Sequence, residues 1–113
     1  MDRWRLGPFR DQVDALSTAY VQVPVILTTP TGPGDPSVGT VTLAFLASTG
    51  KPQVSDWKSG SWQSTAIGGW LAQCLIGPSG GALTLTPGMY YVWAKVVDGA
   101  ETVIEQVGTL EVT

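Results

Sequence analysis

Histidine is absent from this 113-residue sequence, and cysteine occurs only once. Without imidazole the chain lacks the commonest general base, proton shuttle and metal ligand near neutral pH. The single thiol, Cys74, excludes an intramolecular disulfide and a cysteine-based zinc site. It lies in the apolar run 70–76, where cysteine serves as a small buried hydrophobe. Charge is scarce too: 13% of residues carry one, against about 25% in an average domain. Nine acids and six bases leave a net charge of −3, the wrong sign for a surface that binds nucleic acid. The longest strand-like apolar stretch, 23–27, falls far short of the roughly 20 residues that cross a bilayer. Arg3 and Arg5 stand where a signal peptide begins, but Gly7-Pro8-Phe9-Arg10-Asp11 follows in place of its apolar centre. These absences predict a body made in the cytoplasm that binds or builds. They predict no enzyme, no cofactor, no metal, and neither nucleic acid nor membrane as a partner.

What the chain does have is aromatic surface and turn residues. Five tryptophans and three tyrosines are spread along runs punctuated by 14 glycines and eight prolines. A length of 113 fits one core, and the 43% hydrophobic fraction is enough to fill it.

The first seventeen residues differ from the rest. All three arginines (Arg3, Arg5, Arg10) lie there, and every later basic residue is lysine. Leu6, Phe9, Val13 and Leu16 recur at spacings of three and four, the stripe of a short helix that Pro8 would open. So short a helix needs a surface to lie on. That surface is either its own domain or a neighbouring subunit. The boundaries read as an N-terminal arm at 1–17 and a β domain at 18–113.

From residue 18 onward the pattern has period two. Val21, Val23, Val25 and Leu27 alternate with Gln22, Pro24 and Ile26, and Pro24 marks an edge strand because it cannot donate to a ladder. Val41, Leu43 and Phe45 alternate with Thr40, Thr42 and Ala44. Residues 48–69 hold Trp57 and Trp62 among serines and glycines, with room for two short strands. A strand at 70–76 follows, then two long ones at 89–97 and 102–112 joined at Asp98-Gly99, with Gly108 marking a bulge. About seven strands with closely spaced turns predict an all-β antiparallel sandwich. The run Leu85-Thr86-Pro87-Gly88-Met89-Tyr90-Tyr91-Val92 narrows this to an immunoglobulin-like one, where a tyrosine closes the corner before the penultimate strand. Tyr90, Val92, Ala94 and Val96 then face inward, and Tyr91, Trp93, Lys95 and Val97 face outward.

Chemistry finds little footing. The acids of the β domain are scattered, and Glu101 and Glu105 share a strand face that is ordinarily solvated. The loops at Asp35 and Asp98 lack the dense oxygen ligands of a calcium site. Thr31-Gly32-Pro33-Gly34-Asp35 lacks the ending of a phosphate loop. Tyr91 and Trp93 beside the Lys95 stem instead resemble an interface anchor. The same rings suit a sugar platform, with Gln63 and Gln73 as polar neighbours, or a surface covered by a loop of the same chain.

Gly39-Thr40-Val41-Thr42-Leu43-Ala44-Phe45, Asp56-Trp57, Gly60-Ser61-Trp62 and Cys74-Leu75-Ile76-Gly77-Pro78 form one set of short motifs. With the run from Leu85 to Asp98 and Gly108-Thr109-Leu110-Glu111-Val112, they resemble the short immunoglobulin-like virion proteins of tailed phages of actinobacteria. The resemblance covers residues 20–113. It implies a structural component of the particle and leaves its place there open. The favoured expectation is a decoration or minor capsid protein of the head or head–tail region, present in many copies. The resemblance does not cover the arm; the residues themselves predict that capsid or connector subunits are bound through Arg3, Trp4, Arg5, Leu6, Phe9 and Arg10 of the arm and through Tyr91 and Trp93. The alternatives are a carbohydrate-binding module for adsorption to host glycans and a tail or baseplate module.

Overall fold

Val, Thr, Tyr and Trp in period-two runs favour pleated, half-buried strands, and strands are the main regular structure of the chain. The computed structural model describes residues 3–113. Ten strands run in chain order: β1 (Arg3–Leu6), β2 (Phe9–Val13), β3 (Ala19–Thr29), β4 (Gly32–Pro33), β5 (Thr40–Leu46), β6 (Lys58–Ser59), β7 (Ser61–Ser64), β8 (Trp70–Ile76), β9 (Gly88–Asp98) and β10 (Glu101–Val112). Two single 3-10 turns, Pro36–Val38 and Val54–Asp56, interrupt the loops.

The strands form two sheets. One has the order β1-β3-β8-β7, with β4 pairing β3; the other has the order β2-β10-β9-β5-β6. Every pairing is antiparallel except β2 on β10, which is parallel. This is the immunoglobulin-like arrangement, two packed sheets of the ABED and GFC kind. The inward residues of each strand meet between them: Val21, Val23 and Val25 of β3, Leu43 of β5, Val92 and Ala94 of β9, and Leu110 of β10 are all at most 3% exposed. The corner tyrosine closes as expected, with the Tyr90 hydroxyl donating to the Thr86 carbonyl at 2.7 Å.

The N-terminal segment is not the helical arm that its three-four spacing predicts. Residues 1 and 2 of that arm lie outside the described residues. The rest is two strands, one for each sheet, and the chain crosses between them at Gly7-Pro8, whose peptide is cis. Leu6 points into the core from the first sheet and Phe9 from the second, so their spacing of three comes from the crossing and not from a helical turn. Leu16 is 86% exposed and shares no stripe with them. The boundary at 17/18 therefore separates nothing: β1 and β2 belong to the sandwich.

Two glycines make the crossing possible. Gly7 has φ +80°, in the left-handed region, and a Cβ there would meet the Val107 carbonyl at 3.0 Å. At Gly108 the β9–β10 register shifts, and a Cβ would land on the Phe9 backbone. The expected bulge is therefore also the place where β2 approaches β10 most closely.

Pro24 does not mark an edge. It sits in β3, which lies between β1 and β8. The Gly7 amide donates to the Pro24 carbonyl at 2.8 Å, just where β1 leaves for the other sheet. In an antiparallel strand the N–H and C=O of a residue point the same way. The donor that Pro24 lacks thus falls beside the crossing, where no ladder bond is needed.

Replacing Gly108 with alanine is expected to cost about 2–4 kcal/mol, since backbone must move to admit the methyl group. Removing the corner hydroxyl with Tyr90→Phe should cost about 1 kcal/mol. Urea unfolding of both variants measures the difference, and equal losses would contradict the close approach at Gly108.

Candidate functional site

On the outer face of the second sheet, β9 presents Tyr91, Trp93 and Lys95 as the sequence predicts, all half-buried. Their cross-strand neighbours set the surroundings. Trp93 lies between Ala44 of β5 and Gln106 of β10, and Lys95 between Thr42 and Ile104. Ala44, directly across from Trp93, is itself fully buried. The cover comes from the β5–β6 connection, whose Val54–Asp56 turn packs against β5. That turn is fixed by a reciprocal pair: Asp56 Oδ2 accepts from the Gln53 amide at 2.7 Å, and the Asp56 amide donates to the Gln53 carbonyl at 3.0 Å.

Trp57 leaves this turn and returns toward the sheet, where Lys95 Nζ stands 4.7 Å from its ring centroid. A cation over an indole face at that distance is held by the ring quadrupole, worth about 0.5–1 kcal/mol at an exposed site. Trp57 and Trp93, with Lys51, Pro52 and Ile104, line a groove of about 230 Å³. Ile104 is 49% exposed at its margin. The groove is apolar at its floor and cationic at its rim. Lys51 and Lys95 supply that charge, whereas Lys58 opens β6 opposite the inward-facing Leu43, its ammonium donating to the Ser55 carbonyl. Two polar atoms of this sheet, Thr42 Oγ1 and Trp93 Nε1, are buried without a hydrogen-bond partner.

The other expected contact residues fall elsewhere. Trp4, Leu6 and Phe9 are each at most 8% exposed and belong to the core, so none is free to lie in a neighbour's groove. The Trp4 indole also donates to Glu101 Oε1 at 3.2 Å. Arg3, Arg5 and Arg10 alternate with those residues and are exposed, Arg3 and Arg5 on β1 and Arg10 on β2. Strand alternation, Arg-Trp-Arg-Leu, thus separates the arginines from the apolar residues once grouped with them.

Trp62 also joins the core, its indole donating to the Gly39 carbonyl at 2.8 Å. Gln63 and Gln73 are on β7 and β8 of the first sheet, away from Trp93. Gln73 is 8% exposed and bonded to Gln22 at 2.9 Å. The platform joining these glutamines to the exposed tryptophans does not form.

Lys51, Pro52 and Ile104 were not singled out by their sequence. The loop 47–57 has no periodicity to reveal which face it covers, whereas Ile104 follows from extending the outward phase of β10 across its pair with Lys95.

Among the described residues no group of three or more histidine, cysteine, aspartate or glutamate side chains is arranged to hold a metal ion. Cys74 is buried in the core, and burial pushes its thiol up to about 11, with Lys58 opposing the shift. Only a thiolate attacks a disulfide readily. Ellman's reagent at pH 8 is therefore expected to leave Cys74 untouched in the folded protein and to titrate one thiol in guanidinium. Rapid labelling of the native chain would contradict this placement.

No family model and no curated protein matches the chain. Among solved structures, it is similar to AggA, the major subunit of aggregative adherence fimbriae type I from Escherichia coli. The similarity covers 100% of this chain and 95% of that one, at 15% identity and a TM-score of 0.37. So distant a likeness informs neither site nor partner.

Proposed function

We propose that this chain is a non-enzymatic structural module that attaches to a larger assembly through the groove between Trp57 and Trp93. The groove is the observation that carries the reading. Half-buried indoles beside lysine stems are the features of a protein-docking anchor, because large rigid rings bury area at low entropic cost. The lysine rim favours a partner segment with an apolar side chain flanked by a carboxylate. In the phage particle that the sequence resemblance implies, the module would be a decoration or minor component of the head or head–tail region. Many copies on a symmetric shell would turn modest single contacts into firm attachment where they are linked.

A carbohydrate ligand remains the competing occupant, since indole faces also stack on sugar rings. It loses support from the position of Gln63 and Gln73 on the opposite sheet. Without them, the charged groups at the groove are Lys51 in its lining and Lys95 over the Trp57 ring.

Binding to particles assembled without this chain is the direct test. Lys51→Glu, at an exposed position, should reduce occupancy by about tenfold, the scale of one lost charge-assisted contact, and leave the melting temperature unchanged. Trp93→Ala should abolish occupancy. Undiminished occupancy for both variants, or saturable tryptophan quenching by host cell-wall glycans, would overturn the reading.

A further inference from the structure

A second surface arises from the way the N-terminal segment is divided. β2 pairs with β10 only from Gly108 to Val112. Residues 101–106 of β10 pair with β9 on one side and have no strand on the other among the described residues. A strand edge left in this way presents alternate backbone N–H and C=O groups with no ladder partner, a template for another extended segment. β1 is the edge of the other sheet on this same flank, and Trp4 links the two by its bond to Glu101.

Between them lies a cleft of about 480 Å³ lined by Arg3, Trp4, Arg5, Ile26, Thr28 and Glu105. Arg3 and Arg5 project from the same face of β1, opposite Thr28 and Ile26 of β3. Ile26 is 55% exposed and gives the cleft an apolar side. Arginine is the cation best suited to such a place, because its planar fork pairs with carboxylates and is only weakly hydrated.

Charge selects the occupant. Edges protected against association are commonly blunted by charged side chains, lysine above all. Here both signs line one cleft: Arg3 and Arg5 on β1, Glu105 on β10. A uniformly acidic segment would meet Glu105, and a basic one would meet the arginines. A two-fold partner satisfies both, since each contact of an isologous interface occurs twice with the roles exchanged.

We infer that the 101–106 edge of β10 and the Arg3–Arg5 face of β1 form a homodimer interface. In it, β10 strands of two copies pair antiparallel, and Glu105 of each copy meets Arg3 and Arg5 of the other. The second sheet then runs continuously through both copies. The aromatic groove lies on the outer face of that sheet, so the dimer presents two grooves and leaves both open. This interface stands independently of what the groove binds.

Sedimentation velocity across a concentration series tests the interface on the intact chain. A shift from the 11.9 kDa monomer toward twice that mass is expected as concentration rises. Arg3→Glu with Arg5→Glu should weaken association by at least about tenfold, the scale of one lost charge pair. Adding Glu105→Arg to the same chain should restore it, because every contact then has reversed signs. Trp93→Ala should dimerise normally, which separates this interface from the groove. A chain that stays monomeric up to about 1 mM, the weak end of specific association, overturns the inference. So does dimerisation indifferent to the charge reversals.

Discussion

The sandwich depends on one short segment that serves both of its sheets. β1 closes the edge of the first sheet, the chain crosses at Gly7-Pro8, and β2 closes part of the edge of the second. Trp4, Leu6 and Phe9 carry this segment into the core from both sides. Burying three such side chains is worth about 1.5–3 kcal/mol each, a large share of the stability of a domain this size. The crossing demands a left-handed residue at Gly7 and a missing Cβ at Gly108. It also absorbs the donor that Pro24 cannot supply. Three separate features of the sequence, Gly7, Gly108 and Pro24, thus answer one topological requirement.

The same division creates the two surfaces. Because β2 is five residues long and β10 twelve, the upper half of β10 is left as an open edge. Because β9 is flanked by β10 and β5 along its length, its outward residues instead form a flat face, which the 47–57 loop roofs at one side. One surface offers backbone and opposite charges; the other offers aromatic rings and lysines. The basic residues are sorted accordingly: arginines on β1 and β2, Lys51 and Lys95 at the groove.

The β domain was legible where the period is two and the neighbours agree. β5, β8, β9 and β10 were each predicted within a residue or two, and the facing of Tyr90 to Val97 follows from alternation alone. The corner tyrosine was readable because a turn and a tyrosine stand at a fixed offset. The N-terminal segment misled because a strand that changes sheets resets its phase: Leu6 and Phe9 both face inward across an odd spacing that imitates a helix. Arg3-Trp4-Arg5-Leu6 held the correct signal in its alternation, but four residues are too few to outweigh a stripe that spans 6–16. Pro24 misled because edge status was inferred from a missing donor, while the structure meets that gap by ending β1 beside it. The groove was half legible. Its Trp93 wall follows from strand phase, whereas Lys51 and Pro52 sit in a loop whose path no local pattern encodes.

Amide hydrogen exchange along residues 3–13, compared with β3 and β9, tests most directly whether the N-terminal segment is part of the fold. Shared between two sheets, the backbone amides that β1 and β2 commit to their ladders should exchange only through the global unfolding that opens the core. Protection factors for Trp4 or Leu6 and for the β2 ladder would then match those of Val23 and Val92. Free exchange across 3–13, with full protection elsewhere, would show a detachable arm and contradict the account.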